Sequence, residues 1–261
     1  MSGQQIRFED GTAYDRSMGQ WSLVAGQMFL DWLAPEAGLR WLDVGCGSGA
    51  FTELVMRHCA PSENQGIDPS EAQLAFARSR PGTRGAVFQQ GDAMALPFPD
   101  NRFDAAVMAL VIFFVPDPAK GVAEMARVVR PGGTVAAYAW DMDSGGFPFH
   151  PIQAELRALG FLPPVPPSVD ASRLEVLRAL WNGAGLKAIE TTEIVPRRTF
   201  ADFEDFWGSS TVTGSIRPTL ASMAPGDVEQ LKVRVRARLA VDDQGRITHE
   251  ARANAIKGRV P

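Results

Sequence analysis

Short apolar runs alternate with segments of helical periodicity through the first 140 or so residues. Runs at 39–44, 64–67, 86–90, 103–110 and 133–140 have the length and make-up of strands. Helix patterns lie between them at about 49–59, 70–79 and 118–129. In "AFTELVMRHCA", Phe51, Leu54, Val55 and Cys59 share one helical face. "DPSEAQLAFARSR" does the same with Ala72, Leu74, Ala75 and Phe76, behind Ser70 as an N-cap. "RPGG" at 130–133 stops a helix and turns the chain into the next strand. This alternation predicts βαβ units around a parallel sheet. The longest apolar run, "AAVMALVIFFV" at 105–115, is too short to span a bilayer and suits a strand buried on both faces.

The texture changes after residue 141. "DMDSGGFPFHPIQ" is loop-rich, and "FLPPVPPSVD" carries Pro163, Pro164, Pro166 and Pro167, which reads as a stiff connector. "SRLEVLRALWNGAG" is a helix closed by glycine, and 186–200 and 245–260 read as two further strands. The segment 201–240 between them is polar, aromatic and mostly helical.

Composition adds little to this picture and removes some classes. The chain has 261 residues, 45% of them apolar and 21% charged, as in an ordinary globular protein. A net charge of −4 gives no reason to expect a nucleic-acid or membrane partner. Two cysteines, Cys46 and Cys59, point to a reducing compartment rather than a disulfide scaffold. The first residues, "MSGQQIRFEDGTAYDR", are not those of a secretory signal, so the expected location is the cytoplasm. No His/Cys cluster has metal-ligand spacing, so no metal is expected.

The candidate chemistry begins at "WLDVGCGSGAF", residues 41–51, where an apolar run enters a turn with Gly45, Gly47 and Gly49. Read as Gly45-x-Gly47-x-x-Ala50, it fits a dinucleotide fingerprint; read as Asp-x-Gly-x-Gly-x-Gly, it fits a turn that holds S-adenosylmethionine. Both use backbone unobstructed by side chains and the positive end of the next helix. Asp68, 23 residues after Gly45 and at the end of the second strand, can accept from both ribose hydroxyls of either cofactor. Together the two motifs establish an adenosine-ligand site and leave the reaction open.

The next two segments separate the readings. "FQQGDAMALPFPDNRFDAAVM" puts Asp92 and Ala93 just past the third strand, where an acid and a backbone N–H suit adenine. The strand "FDAAVMALVIFFV", a helix and "RVVRPGGTVAAYAW" follow. In this order the four motifs resemble the class I S-adenosylmethionine-dependent methyltransferases, in particular the type 11, ubiquinone/menaquinone C-methyltransferase-like group. The resemblance covers residues 39–141 closely and extends upstream to "YDRSMGQWSLVAGQMFLDWL".

It implies a Rossmann-like, doubly wound α/β fold: a mostly parallel seven-stranded sheet with an antiparallel edge strand and a mainly helical cap. A helical segment, 1–38, would cover the cofactor, and 39–141 would bind it. Residues 142–261 would complete the core, with insertions 142–170 and 201–240 as a cap that folds over the C-terminal edge of the sheet and encloses the acceptor. It further implies that Gly45 and Gly47 lie against the methionine moiety, with Asp43 orienting their loop and Cys46 filling space beside it. Asp68 with Pro69 would meet the ribose, Asp92 with Ala93 the adenine, and the Leu110 carbonyl the amino group. Tyr14 and Trp21 match aromatic positions of the covering segment. Ile112-Phe113-Phe114 stands where the family often has a polar residue, which places apolar Phe114 towards the acceptor.

The expected reaction is in-line methyl transfer from S-adenosylmethionine, leaving S-adenosylhomocysteine, to a small, apolar or aromatic acceptor. Such chemistry needs positioning and exclusion of water more than a base. If a base is used, His150 in "GGFPFHP" is best placed; His58 reads as a surface residue, and His249 has no partner in the sequence. Phe147, Phe149, Phe161, Phe203, Phe206 and Trp207 either line the acceptor chamber or glue the cap to the sheet. Arg217, in "GSIRP", could meet an acidic acceptor, whereas Lys232, Arg234, Arg236 and Arg238 read as a solvated face. Two other classes stay open: an NAD-dependent oxidoreductase, and a methyltransferase-like module that binds without catalysis.

Overall fold

The structure, a computed structural model, describes residues 15–212 and 216–261. The apolar runs form strands β1 (Arg40–Val44), β2 (Glu63–Asp68), β3 (Val87–Gln90), β4 (Phe103–Ala109) and β5 (Val129–Trp140). Helices α2 (Ala50–His58), α3 (Glu71–Ser79) and α4 (Pro118–Val128) connect them, after an upstream helix α1 (Gln20–Leu33). Ser70 caps α3 by accepting from the Gln73 N–H, and Asp117 caps α4 with Pro118 in its first turn.

Beyond the run of β5 come helices α5 (His150–Ala158) and α6 (Leu174–Gly183). The two late strand segments each divide. The first gives β6 (Lys187–Ile194) and β7 (Arg197–Phe200), and the second gives β8 (Ile247–Glu250) and β9 (Ala253–Arg259). The first division falls at Val195-Pro196, where proline has no N–H for a ladder. Between them lie α7 (Phe203–Thr211), α8 (Ile216–Ala221) and α9 (Pro225–Arg238).

The main sheet has seven strands in the order β3-β2-β1-β4-β5-β9-β6. Strands β1 to β5 pair in parallel, and β9 runs antiparallel to β5 and β6. Strands β7 and β8 form a separate antiparallel pair. This is the Rossmann-like arrangement, and its order reverses between β1 and β4. Crevices for ligands open at the carboxyl ends of strands at such a point.

Asp104 secures the opposite end of the sheet. Its carboxylate accepts from the Arg40 backbone N–H at 2.8 Å, from the Arg40 guanidinium at 3.0 and 3.1 Å, and from Arg130 at 2.6 Å. These arginines hold the acid well below the usual carboxylate range. The apolar run at 105–115 does not continue as strand to its end. Leu110 takes a left-handed φ of 63°, and Ile112–Phe114 form a short 3-10 turn that leads the chain away from the sheet.

Candidate functional site

A cleft of about 830 Å³ opens at the carboxyl ends of β1, β2, β4 and β5, within the range of small-molecule and cofactor sites. Its floor is the turn after β1. Gly45 has φ 77°, and a Cβ there would stand 2.4 Å from a Val111 methyl. Gly47 has φ 49°, with nothing within 4 Å of the position a Cβ would take. One glycine therefore lets the turn pack under the β4 loop, and the other keeps its upper surface clear.

Asp68 holds this turn from the end of β2. One oxygen accepts from the Gly47 N–H and the other from the Ser70 N–H, each at 2.9 Å. Each carboxylate oxygen has a further acceptor position, so Asp68 can shape the loop and still bind hydroxyls. Burial raises its pKa, opposed by the Ser70 and Gly47 N–H groups. Asp92 is set in a similar way, its Oδ1 accepting from the Met94 N–H at 2.8 Å.

Asp43 lies deeper, only 2% exposed. Oδ2 accepts a 2.6 Å hydrogen bond from the Thr52 hydroxyl, while buried Oδ1 has no partner among the described residues. Burial pushes this carboxyl up to about 7, against the Thr52 hydrogen bond and with a further push from the Asp68 charge. Burial, with the Asp43 and Asp68 charges, pushes the Cys46 thiol well above its usual range.

The cleft thus brings together Asp43, Gly45, Cys46, Gly47, Asp68, Pro69, Asp92, Ala93, Leu110 and Phe114, ten of the positions singled out in the sequence. Tyr14 lies outside the described residues. Three expectations need correction. Trp21 is fully buried and does not line the cleft; it packs edge-on against His249 at 5.8 Å and tilted against Phe200 at 6.3 Å. Its helical neighbour Ser22 reaches the cleft instead, because one residue along a helix turns the side chain by about 100°.

His150 opens α5 beside Gly145, away from the cleft lining, so it is not placed to act as a base there. Burial, Arg157 and Arg238 lower its pKa. Arg217 is exposed on α8 and likewise does not reach the lining.

The expected cap is also redistributed. Among the described residues, none that lines the cleft comes from 201–240. Phe206 packs edge-on against Phe200 and His249 and so joins the cap to β7 and β8, whereas Phe203 and Trp207 stack on each other within α7. The basic residues of α9 have acidic partners. Arg234 and Arg238 meet the buried Glu155, Arg236 meets Glu204 at 3.1 Å, and Lys232 meets Glu229 at 3.2 Å.

Several lining residues were not singled out. Tyr138, near the end of β5, enters the cleft and stacks on Phe29 of α1, with ring centroids 4.7 Å apart. Gln73 comes from the first turns of α3. Val165, Pro166 and Pro167 form a wall from the segment read as a connector. The strand-end position of Tyr138 was the available signal, and the proline segment lies within 142–170, one of the two stretches expected to fold over the sheet edge as cap.

Comparison with known proteins bears on the central part of the chain. Residues 42–137 match the family described as "Methyltransferase domain". Over these residues the chain is similar to a methyltransferase domain. The cofactor of such domains is S-adenosylmethionine, which does not favour the dinucleotide reading of Ala50.

The segment is 39% identical over 100 residues to a fatty-acid O-methyltransferase of Mycolicibacterium smegmatis, covering 38% of this chain and 36% of that one. It is 36% identical over 111 residues to the ubiquinone/menaquinone biosynthesis C-methyltransferase UbiE of Roseobacter denitrificans, covering 41% and 44%. The matches thus span less than half the length of these relatives. Solved structures similar in fold include the YcgJ protein of Bacillus subtilis, with TM-score 0.60 and 20% identity over 90% of this chain and 97% of that one. Another is a putative methyltransferase of Bacillus halodurans, with TM-score 0.59 and 18% identity over 91% and 98%.

The residues fit the cofactor on their own geometry. A clear glycine surface, a ribose-type acid and a buried carboxylate oxygen with no partner among the described residues converge on one cleft.

Proposed function

We propose that this protein is an S-adenosylmethionine-dependent methyltransferase acting on a small, apolar or aromatic acceptor. The observation that carries the proposal is the division of the cleft. Its β1–β3 side is acidic and polar, with Asp43, Asp68, Ser70, Gln73 and Asp92. The side formed by the β4 loop and the proline segment is apolar, with Val111, Phe114, Val115, Pro116 and Val165–Pro167.

In this reading Gly45 and Gly47 admit the methionine portion, and Asp43 Oδ1 accepts from its ammonium group, directly or through water. Asp68 accepts from the ribose hydroxyls, Asp92 and Ala93 meet the adenine, and Leu110 offers backbone to the amino group. The cofactor supplies an activated methyl group on a sulfonium. The chain's own residues do the rest: the polar side fixes the donor, and the apolar side orients the acceptor and excludes water. Relatives named for fatty-acid and quinone substrates support an apolar acceptor.

The reading includes a cytoplasmic setting and an acceptor that is not nucleic acid. Two free, buried cysteines and a net charge of −4 support both. Among the described residues no helix is long and apolar enough to cross a membrane.

A thermal-shift comparison tests the cofactor assignment. S-adenosylhomocysteine at about a hundred times its Kd should stabilise the fold by about 2.7 kcal/mol, raising Tm by several degrees. NAD at the same concentration should leave Tm unchanged. Stabilisation by NAD alone would overturn the reading.

A further inference from the structure

The proline segment is tied to the loop after β4 through Ser168. The Ser168 backbone N–H donates to the Phe113 carbonyl at 3.1 Å. Its hydroxyl reaches the Val115 carbonyl at 2.8 Å and the Pro116 carbonyl at 3.4 Å. All three acceptors lie in the loop after β4 that forms the opposite part of the apolar side. The segment needs such a tie, because residues 161–166 have no regular secondary structure and Leu162 and Val165 are 82% and 60% exposed. Pro163 and Pro166 are buried and fix the inner face of the segment, while Ser168 ties its far end to the β4 loop.

Prolines at 163, 164, 166 and 167 restrict the backbone, so little chain entropy remains to be lost when the segment is anchored at one end. A single hydroxyl that bonds the following loop can then set the width between two walls. On one side stand Phe114, Val115 and Pro116; on the other stand Val165, Pro166 and Pro167.

We propose that Ser168 is a positioning residue for acceptor selection, fixing the proline wall at the separation that grips a flat or chain-like apolar molecule. This rests on the methyltransferase reading. It goes further in assigning specificity to the tie between residue 168 and the β4 loop, remote from the cofactor-binding turn. The side chain is partly exposed at the rim, so its truncation leaves no buried cavity. The effect belongs to apolar affinity and not to the fold.

The experiment uses the full chain saturated with S-adenosylhomocysteine and the neutral fluorophore N-phenyl-1-naphthylamine as apolar probe. Wild type should bind the probe at one site. Ser168→Ala should weaken that binding about fivefold, with Tm and S-adenosylhomocysteine affinity unchanged. Ser168→Thr, which keeps the hydroxyl, should restore it. Val165→Asp places a charge on an already exposed position of the wall, and should abolish probe binding while the protein stays folded.

The proposal is overturned if the loaded wild type does not bind the probe, if Ser168→Ala leaves its affinity unchanged, or if probe and S-adenosylhomocysteine weaken together. Failure of wild type to bind S-adenosylhomocysteine would instead refute the cofactor reading, and this proposal with it.

Discussion

Asp43 and Glu155 are both buried carboxylates, 2% and 4% exposed, yet they have opposite surroundings. Glu155 on α5 is gripped by Arg234 and Arg238 of α9, one on each oxygen. Burial alone would push its pKa up, but the two guanidiniums outweigh that and hold it below the usual range. Asp43 has one hydroxyl on one oxygen and none of the described residues on the other, and its carboxyl is pushed up to about 7.

A buried acid with its partners supplied by the fold is a packing device. A buried acid with an oxygen left over, beside a cleft, is a place where something else completes the hydrogen bonding. The contrast separates the α5–α9 contact, which joins the cap to itself, from the β1 turn, which we propose as the cofactor site.

Three substitutions can break or sharpen this contrast. The largest effect should come from Asp68→Ala, which removes both the ribose acceptor and the brace on Gly47. Hydrogen bonds to a charged group contribute about 1.5–3 kcal/mol each, so S-adenosylhomocysteine affinity should fall about a hundredfold. A calorimetric titration reads this directly.

Glu155→Ala should act on stability instead. Breaking a buried ion pair costs about 3–5 kcal/mol, and the exposure of the two arginine heads reduces this to about 1–3 kcal/mol. Denaturant unfolding should show that loss, while cofactor affinity is retained.

The smallest and most diagnostic effect concerns pH at Asp43. Its folded pKa of about 7 lies above the usual carboxylate value of about 4, so folding takes up a proton between these values. The stability contribution of Asp43 is therefore fully present below pH ~4, declines as pH rises to about 7, and is flat above that. Asp43→Asn should remove this slope in pH-dependent unfolding of the unliganded protein. It should also weaken S-adenosylhomocysteine about tenfold at pH 8, where the native acid is ionised. A variant with an unchanged slope and unchanged affinity would place Asp43 with Glu155 as a structural acid.

These same residues show what the sequence could disclose. Asp43, Gly45, Gly47, Asp68 and Asp92 were legible because each stands at a strand end or turn with a local chemical reason for its type. The β1 to β5 order followed from alternating periodicity for the same local reason. Trp21 was misplaced because helical phase decides which of two neighbours faces a cleft, and Ser22 won by one position.

The division of 186–200 and of 245–260 depends on which sheet each half joins, a long-range choice that β propensity does not carry. Val165–Pro167 were read as a stiff connector within the expected cap stretch 142–170, and which of its residues face the cleft depends on the tie from Ser168 to residues more than 50 positions away. The basic stripe of α9 was seen as a solvated face. Its two arginines on Glu155 are instead a tertiary contact visible only once α5 and α9 meet.

The central claim is that the β1 turn and its acids form an S-adenosylmethionine site, distinct in purpose from the acid buried under α9. Calorimetric titration of S-adenosylhomocysteine into wild type, Asp68→Ala and Glu155→Ala tests it most directly. The account predicts one site per chain in wild type, the same affinity in Glu155→Ala, and about hundredfold weaker binding in Asp68→Ala. Equal affinity in Asp68→Ala and wild type would contradict it.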